Sequence, residues 1–193
     1  MKKILLHACC GPCTTAPLPA LRAEGIEPVA FFHNPNIHPF REFRRRLNSF
    51  EQFAKKEGMR TEIGRNYGLV EYLRQVVGHE EERCRICYEM RLCATAARAK
   101  ELGITEISTT LLYSRYQKHQ LIRRMGEEIA AAHGLSFLYR DWRELWQEGI
   151  DRAIEQDLYR QGYCGCIYSE QERYDKKLRR RLAAKRREEE PER

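Results

Sequence analysis

Short β-rich runs alternate with longer amphipathic ones along most of the chain. Ile4 to Ala8, Pro28 to His33, Arg60 to Ile63, Glu106 to Thr110 and Ser136 to Tyr139 read as strands, being rich in β-branched and aromatic residues. Segments near 14–24, 40–57, 84–102 and 117–133 carry helical periodicity, and Gly25, Gly58, Gly103 and Gly134 stand where these helices should stop. Such a βαβα rhythm predicts an α/β domain, a mostly parallel sheet with helices on both faces. Ligands in such a domain bind beyond the carboxyl ends of the strands, where the strand order reverses. Beyond residue 142 the pattern is helical up to Gln161, followed by a short loop with Cys164 and Cys166. We expect a single domain over residues 1–169 and a charged C-terminal tail over 170–193, read as a solvated helix that frays. The tail holds a basic run (Lys176, Lys177, Arg179, Arg180, Arg181, Lys185, Arg186, Arg187) and then Glu188 to Glu190.

Composition adds bounds. A chain of 193 residues is long enough for one sizeable core and short for two. A formal charge of +7 is compatible with a polyanionic partner such as RNA, although the same balance is common in proteins that bind none. The apolar start, Ile4-Leu5-Leu6, is interrupted by His7 and the cysteines after it, and no stretch approaches the ~20 apolar residues of a membrane span. A soluble, cytoplasmic protein with no membrane partner is expected. In a reducing compartment, 8 clustered cysteines point to metal or redox chemistry rather than a disulfide scaffold.

The cysteines fall in three segments. Cys9-Cys10-Gly11-Pro12-Cys13 stands where the first strand should meet a helix, so backbone N–H groups and the helix dipole are expected to favour thiolates. Cys84-Arg85-Ile86-Cys87 should open a helix, with both thiols on one face. Two adjacent thiols plus this pair give four ligands, enough for a 4Fe-4S cluster or a structural zinc; spacing does not choose between them. Cys93 lies off that face and reads as packing. Cys164-Gly165-Cys166 can close a small, strained, easily reduced disulfide, or bind metal. Cys10-Gly11-Pro12-Cys13 is also the thioredoxin tetrapeptide, but no proline between Phe40 and Glu190 can supply that fold's cis-proline. Two rivals stand beside a metal-dependent reductase: a thioredoxin-like oxidoreductase and a zinc-binding RNA-interaction module.

Several collinear motifs together resemble the QueH family of cobalamin-independent epoxyqueuosine reductases. They are Leu6 to Cys13, Phe32-His33-Asn34-Pro35-Asn36-Ile37-His38-Pro39, Arg83 to Tyr88, Thr109-Thr110-Leu111, Tyr116-Gln117-Lys118-His119 and Tyr159 to Cys166. The resemblance implies a HUP-like three-layer domain with a helical C-terminal extension. It also implies a 4Fe-4S cluster on Cys9, Cys10, Cys84 and Cys87, and a redox disulfide between Cys164 and Cys166. A second mononuclear iron is a further expectation, with Cys13 as a neighbouring ligand. The implied reaction deoxygenates the epoxide of epoxyqueuosine at the tRNA wobble position, with electrons from a ferredoxin- or flavodoxin-type donor. For the proton donor, Asp141 comes first and His7, His33 and His38 follow, all near strand ends, although Asp141 could equally be a helix cap or a metal ligand. Arg41, Arg44, Arg45, Arg46, Lys118, Arg123 and Arg124 are candidate phosphate contacts, and Tyr113, Tyr116 and Tyr163 candidate stacking platforms.

Overall fold

Five strands form one parallel sheet in the order β3-β2-β1-β4-β5: β1 (Lys2–His7), β2 (Ile26–Phe32), β3 (Thr61–Ile63), β4 (Glu106–Thr109) and β5 (Ser136–Phe137). The computed structural model describes residues 2–189, with side chains described through residue 184. Around the sheet run α1 (Pro17–Ala23), α2 (Phe40–Lys56), α3 (Leu69–Val76), α4 (Arg83–Glu101), α5 (His119–Ala132), α6 (Trp146–Glu155), α7 (Ile167–Tyr174) and α8 (Lys176–Glu189).

Both faces of the sheet are buried, because the strands alternate their side chains between two helical layers. Leu5, Val29, Phe31 and Ile107 pack with Ala96 and Ala99 of α4 and Ala130 of α5. On the opposite face Ala30 and Phe32 meet Phe43, Leu47, Phe50 and Phe53 of α2, and Ile4 and Leu6 belong to the cluster that contains Leu21 of α1. This is the expected three-layer α/β domain of HUP type. All five predicted strands and four helical segments occur, with ends shifted by a few residues. The exceptions are local. The segment Leu69–Val76 is helical, though its periodicity gave no warning. The predicted helix up to Gln161 stops at Glu155, and an irregular stretch carries the chain to Cys166. The charged tail forms α7, which runs through residue 170, and α8. Of its basic run, the side chains of Lys185, Arg186 and Arg187, with those of Glu188 and Glu189 and all of Glu190, lie outside the described residues.

The order 3-2-1-4-5 places the reversal between β1 and β4, so the crevice expected of such sheets opens beyond His7 and Thr109. The Cys9 to Cys13 turn enters it. Gly11 lets this turn approach α2, since a Cβ there would lie 2.5 Å from the Ser49 carbonyl oxygen.

Candidate active site

The ends of β1 and β4 are tied by side chains before any thiol is considered. His7 Nδ1 lies 2.9 Å from Thr109 Oγ1 and its Nε2 lies 3.2 Å from the His33 carbonyl. Burial lowers the His7 pKa to about 3, helped by the nearby Arg91 cation, so the ring is neutral. It serves as a strut between strands. Thr110 then accepts the Cys9 amide N–H at 3.2 Å and donates its hydroxyl to Cys9 Sγ at 3.4 Å.

Among the described residues, one set of three metal-capable side chains brings its ligand atoms within 4.8 Å of one another: Cys9, Cys10 and Cys13. Their acidities diverge, which the helix-dipole argument did not anticipate. Hydrogen bonds from Cys10, then Cys13, hold Cys9 well below the usual thiol range. Donation from Cys13 pulls Cys10 down, but its own donation to Cys9 and its burial outweigh that and raise it. Cys13 is raised by donating to Cys10 and Cys9 and by burial. The physical reason is twofold: α1 begins only at Pro17, past all three thiols, and buried thiols sharing one negative charge leave the other two protonated.

Cys84 and Cys87 sit at the start of α4, as their spacing predicted. Cys84 is half-buried and packs against the core cluster that includes Cys10 and Cys13. Cys87 lies in a separate buried cluster with Tyr72, Val76, Ile86 and Cys166. Burial pushes Cys87 up to about 12 against the opposing pull of Arg91. Arg91, one turn later, donates Nε–H to the Cys87 carbonyl at 3.1 Å and Nη2–H to Cys87 Sγ at 3.0 Å.

Cys164 approaches the same chamber from the far end of the chain. Ser114 Oγ lies 3.1 Å from its sulfur and Gln117 Nε2 donates to it at 3.2 Å. Burial and then the neighbouring Cys9 raise its pKa. Cys164 and Cys166 are both free thiols in this structure, with Cys166 Sγ 3.8 Å from Ser169 Oγ. Cys93 is also free and half-buried.

The loop carrying this pair is fastened by a cation that the sequence suggested for phosphate contact. Arg46 is only 3% exposed. It pairs with Glu42 at 2.6 Å, lies 4.7 Å from the Tyr163 ring centroid, and reaches the Gly165 and Tyr163 carbonyls at 3.5 and 3.4 Å. Its i, i+4 relation to Glu42 was the available signal. Arg41, Arg44, Arg45, Lys118, Arg123 and Arg124 are exposed.

A cleft of about 260 Å³ opens beside the chamber, with Cys13, Gln161 and Cys164 in its wall, Tyr113, Tyr116 and Trp146 along one side, and Arg160 and Arg173 at its edge. Tyr116 is 63% exposed, an unusual state for a large ring. Its amide donates to Ser114 Oγ, the same oxygen that meets Cys164. Tyr113 is buried and stacks on Trp146 with centroids 5.2 Å apart.

Asp141 does not suit the role of proton donor. Arg143 donates to its carboxylate from the guanidinium and the backbone, lowering its pKa to about 2, so it is ionised and works as a cap for the turn that follows. His38 is buried between the Tyr67 and Tyr72 rings, 5.1 and 5.4 Å away, and burial lowers its pKa to about 4. His33 is likewise lowered by burial. Thr110, Ser114, Gln117, Arg91 and Gln161, whose amide donates to Cys10 Sγ at 3.4 Å, are contacts to sulfur that residue patterns alone did not assign.

Residues 4–172 match the family model described as epoxyqueuosine reductase QueH. The chain is 38% identical over 174 residues to epoxyqueuosine reductase QueH of Dehalococcoides mccartyi, covering 90% of this chain and 96% of that protein. It is 31% identical to the protein of that name from Thermotoga maritima, covering 91% and 94%. Among solved structures, a predicted subunit of tRNA methyltransferase from Methanocaldococcus jannaschii superposes with TM-score 0.50 at 14% identity, covering 75% of this chain and 76% of that one, a likeness of fold.

Proposed function

The chain belongs to the QueH family of epoxyqueuosine reductases, and from that premise we propose how its residues carry out the reduction. The enzyme is an oxidoreductase of tRNA queuosine biosynthesis. Its substrate is a tRNA whose wobble base carries the epoxide, and the compartment is the cytoplasm; no helix among the described residues is long and apolar enough to cross a membrane. The overall change removes the epoxide oxygen as water, leaving an alkene, and consumes two electrons and two protons.

Cys9, Cys10, Cys84 and Cys87 would hold a 4Fe-4S cluster, and Cys13 would be available to a second, mononuclear iron. The donor set fits in its chemistry, being all sulfur, the ligand type iron-sulfur clusters take; Cys9 and Cys10 gather with Cys13 within 4.8 Å, Cys84 packs against the cluster that holds Cys10 and Cys13, and Cys87 lies in a neighbouring buried cluster. The chamber also contains Arg91, a buried cation that anionic sulfur would neutralise. When bound, the cluster supplies one-electron transfer from a ferredoxin- or flavodoxin-type donor. Thr110 holds Cys9 at the end of β1 and supports its thiolate. The Arg46–Glu42 pair holds the Cys164 loop over α2.

Cys164 and Cys166 act as the redox pair. Closing a dithiol to a disulfide releases two electrons and two protons, which matches the demand of the epoxide, and the raised Cys164 thiol retains its proton until then. The target base leaves the anticodon stack and lies on Tyr116, with Arg160 and Arg173 near the backbone phosphates.

The observation that carries this reading is the reach of Cys164, which lines the aromatic cleft together with Cys13 and a smaller cavity together with Cys9. Anaerobic purification, iron and sulfide analysis, a visible spectrum and conversion of epoxyqueuosine tRNA test it. A colourless, zinc-only protein that leaves the tRNA unchanged overturns it. The Cys164→Ser enzyme is expected to lose turnover; intact turnover under a chemical reductant would remove the dithiol from the obligate path.

A further inference from the structure

Arg91 is 3% exposed, yet no carboxylate among the described residues lies within ion-pairing distance of it. The contrast with Arg46 is direct, because that equally buried guanidinium has Glu42 at 2.6 Å. An isolated buried charge is costly unless a counter-charge and hydrogen bonds compensate it. The groups around Arg91 are the Cys87 and Cys9 thiols, the Tyr88 and Tyr72 side chains and the imidazoles of His7 and His33, none of them a carboxylate. Its Nη2–H points at Cys87 Sγ, its Nε–H at the Cys87 carbonyl, and it lines one small cavity with Cys9 and Cys164. The Tyr88 ring centroid lies 5.8 Å from its guanidinium carbon. Thr95 Oγ1 donates to the Arg91 carbonyl at 2.7 Å, within the helix.

We propose that Arg91 is the positioning residue that sets the reduction potential of the sulfur-bound metal centre, holding a full positive charge and an N–H···S hydrogen bond against one of its ligands. The inference rests on the ligand set proposed above. Reduction adds one electron from the donor to the centre and makes it more negative, so a fixed cation and a donor to sulfur favour the reduced form. Removing the charge must therefore lower the potential. The N–H···S bond contributes in the same direction, and a lysine would keep the charge but lose the two-point fork onto the sulfur and carbonyl of one residue.

The test uses the full chain, purified anaerobically, as wild type, Arg91→Lys and Arg91→Gln. Iron per chain, melting temperature and the midpoint of an EPR-monitored redox titration are read for each. Arg91→Gln is expected to disfavour one-electron reduction by tenfold or more, a shift of ~59 mV per tenfold to lower potential, with Arg91→Lys shifted less. Equal midpoints in the three proteins at native-like iron content overturn the proposal. Should Arg91→Gln fail to retain iron, Arg91→Lys decides on its own, an unchanged midpoint again overturning it. Loss of iron from both variants with the fold retained also overturns it, in favour of a purely architectural role. A wild type without iron, or without activity on epoxyqueuosine tRNA, would instead refute the functional reading, so the two failures are distinguishable.

Discussion

Thr110 Oγ1 binds Cys9 twice, accepting its amide at 3.2 Å and donating to its sulfur at 3.4 Å. One hydroxyl from the end of β4 thus fixes both the backbone and the thiol that β1 delivers. Thr110→Val keeps the branched shape but leaves the Cys9 amide unpaired, at a cost of about 1–3 kcal/mol. It also removes a donor that lowers the Cys9 pKa. Alkylation of Cys9 in metal-free protein near neutral pH should slow several-fold, as read by mass spectrometry, whereas Thr110→Ser should retain most of the rate.

Tyr116 offers an exposed ring at the mouth of the cleft, with its edge-on neighbour Trp146 at 5.7 Å. Stacking of a nucleobase on an aromatic ring is worth about 1–3 kcal/mol. Tyr116→Ala is therefore expected to raise KM for epoxyqueuosine tRNA by roughly 5- to 150-fold, and Tyr116→Phe to leave it near wild type. Binding of the tRNA should also change Trp146 fluorescence, a response absent from the Trp146→Phe variant.

Glu42 is the counter-ion of a buried guanidinium and also accepts the Tyr159 hydroxyl at 2.6 Å. Glu42→Gln leaves Arg46 charged and buried, a change that costs about 3–5 kcal/mol. Urea denaturation should show that loss. Limited proteolysis should cut faster near Tyr163 to Gly165, because the same guanidinium reaches those carbonyls.

Gly149 lets α6 lie against Tyr113, since a Cβ there would run into the Tyr113 hydroxyl oxygen. That hydroxyl donates to the Trp146 carbonyl at 2.8 Å, so Tyr113 has no free path of retreat. Gly149→Ala should destabilise by about 1–3 kcal/mol through overpacking, visible as a lower melting temperature. It should also narrow the cleft and raise KM.

Part of the pH dependence of stability comes from His38, whose folded pKa is about 4 against an ordinary value of 6.5; His7, His33 and His119, also lowered by burial, add to it with the same sign. Above 6.5 the His38 ring is neutral in both states and contributes no slope. Below it the unfolded chain takes up a proton that the folded site rejects, so stability falls as pH drops from 6.5 toward 4 and then levels. The local slope approaches ~1.4 kcal/mol per pH unit for one such site. Melting curves between pH 7.5 and 4.5 should show this, and His38→Leu should reduce the difference by one site's share, leaving the part due to the other lowered histidines.

Period and spacing in the chain were sufficient for the sheet, its parallel sense and the delivery of Cys9, Cys10 and Cys13 to its carboxyl edge. Those are local properties: alternating burial makes strands, a 3.6-residue period makes helices, and helix-sized connections between strands force parallel pairing. The Cys84 and Cys87 spacing likewise located both thiols at one helix start. What charges do once buried was not legible. Arg46 looked like one of a basic run, and only packing shows it turned inward onto Glu42; Asp141 looked like an acid, and only the fold brings Arg143 onto it. Arg91 carried no sequence signal beyond standing four residues after Cys87. Acidity and counter-charge depend on solvent exclusion and on partners up to a hundred residues away, as Thr110 is from Cys9, and those are fixed only when the β1 and β4 ends meet. The sequence determined which residues arrive at the crevice, and the tertiary structure decided which of them remain charged there.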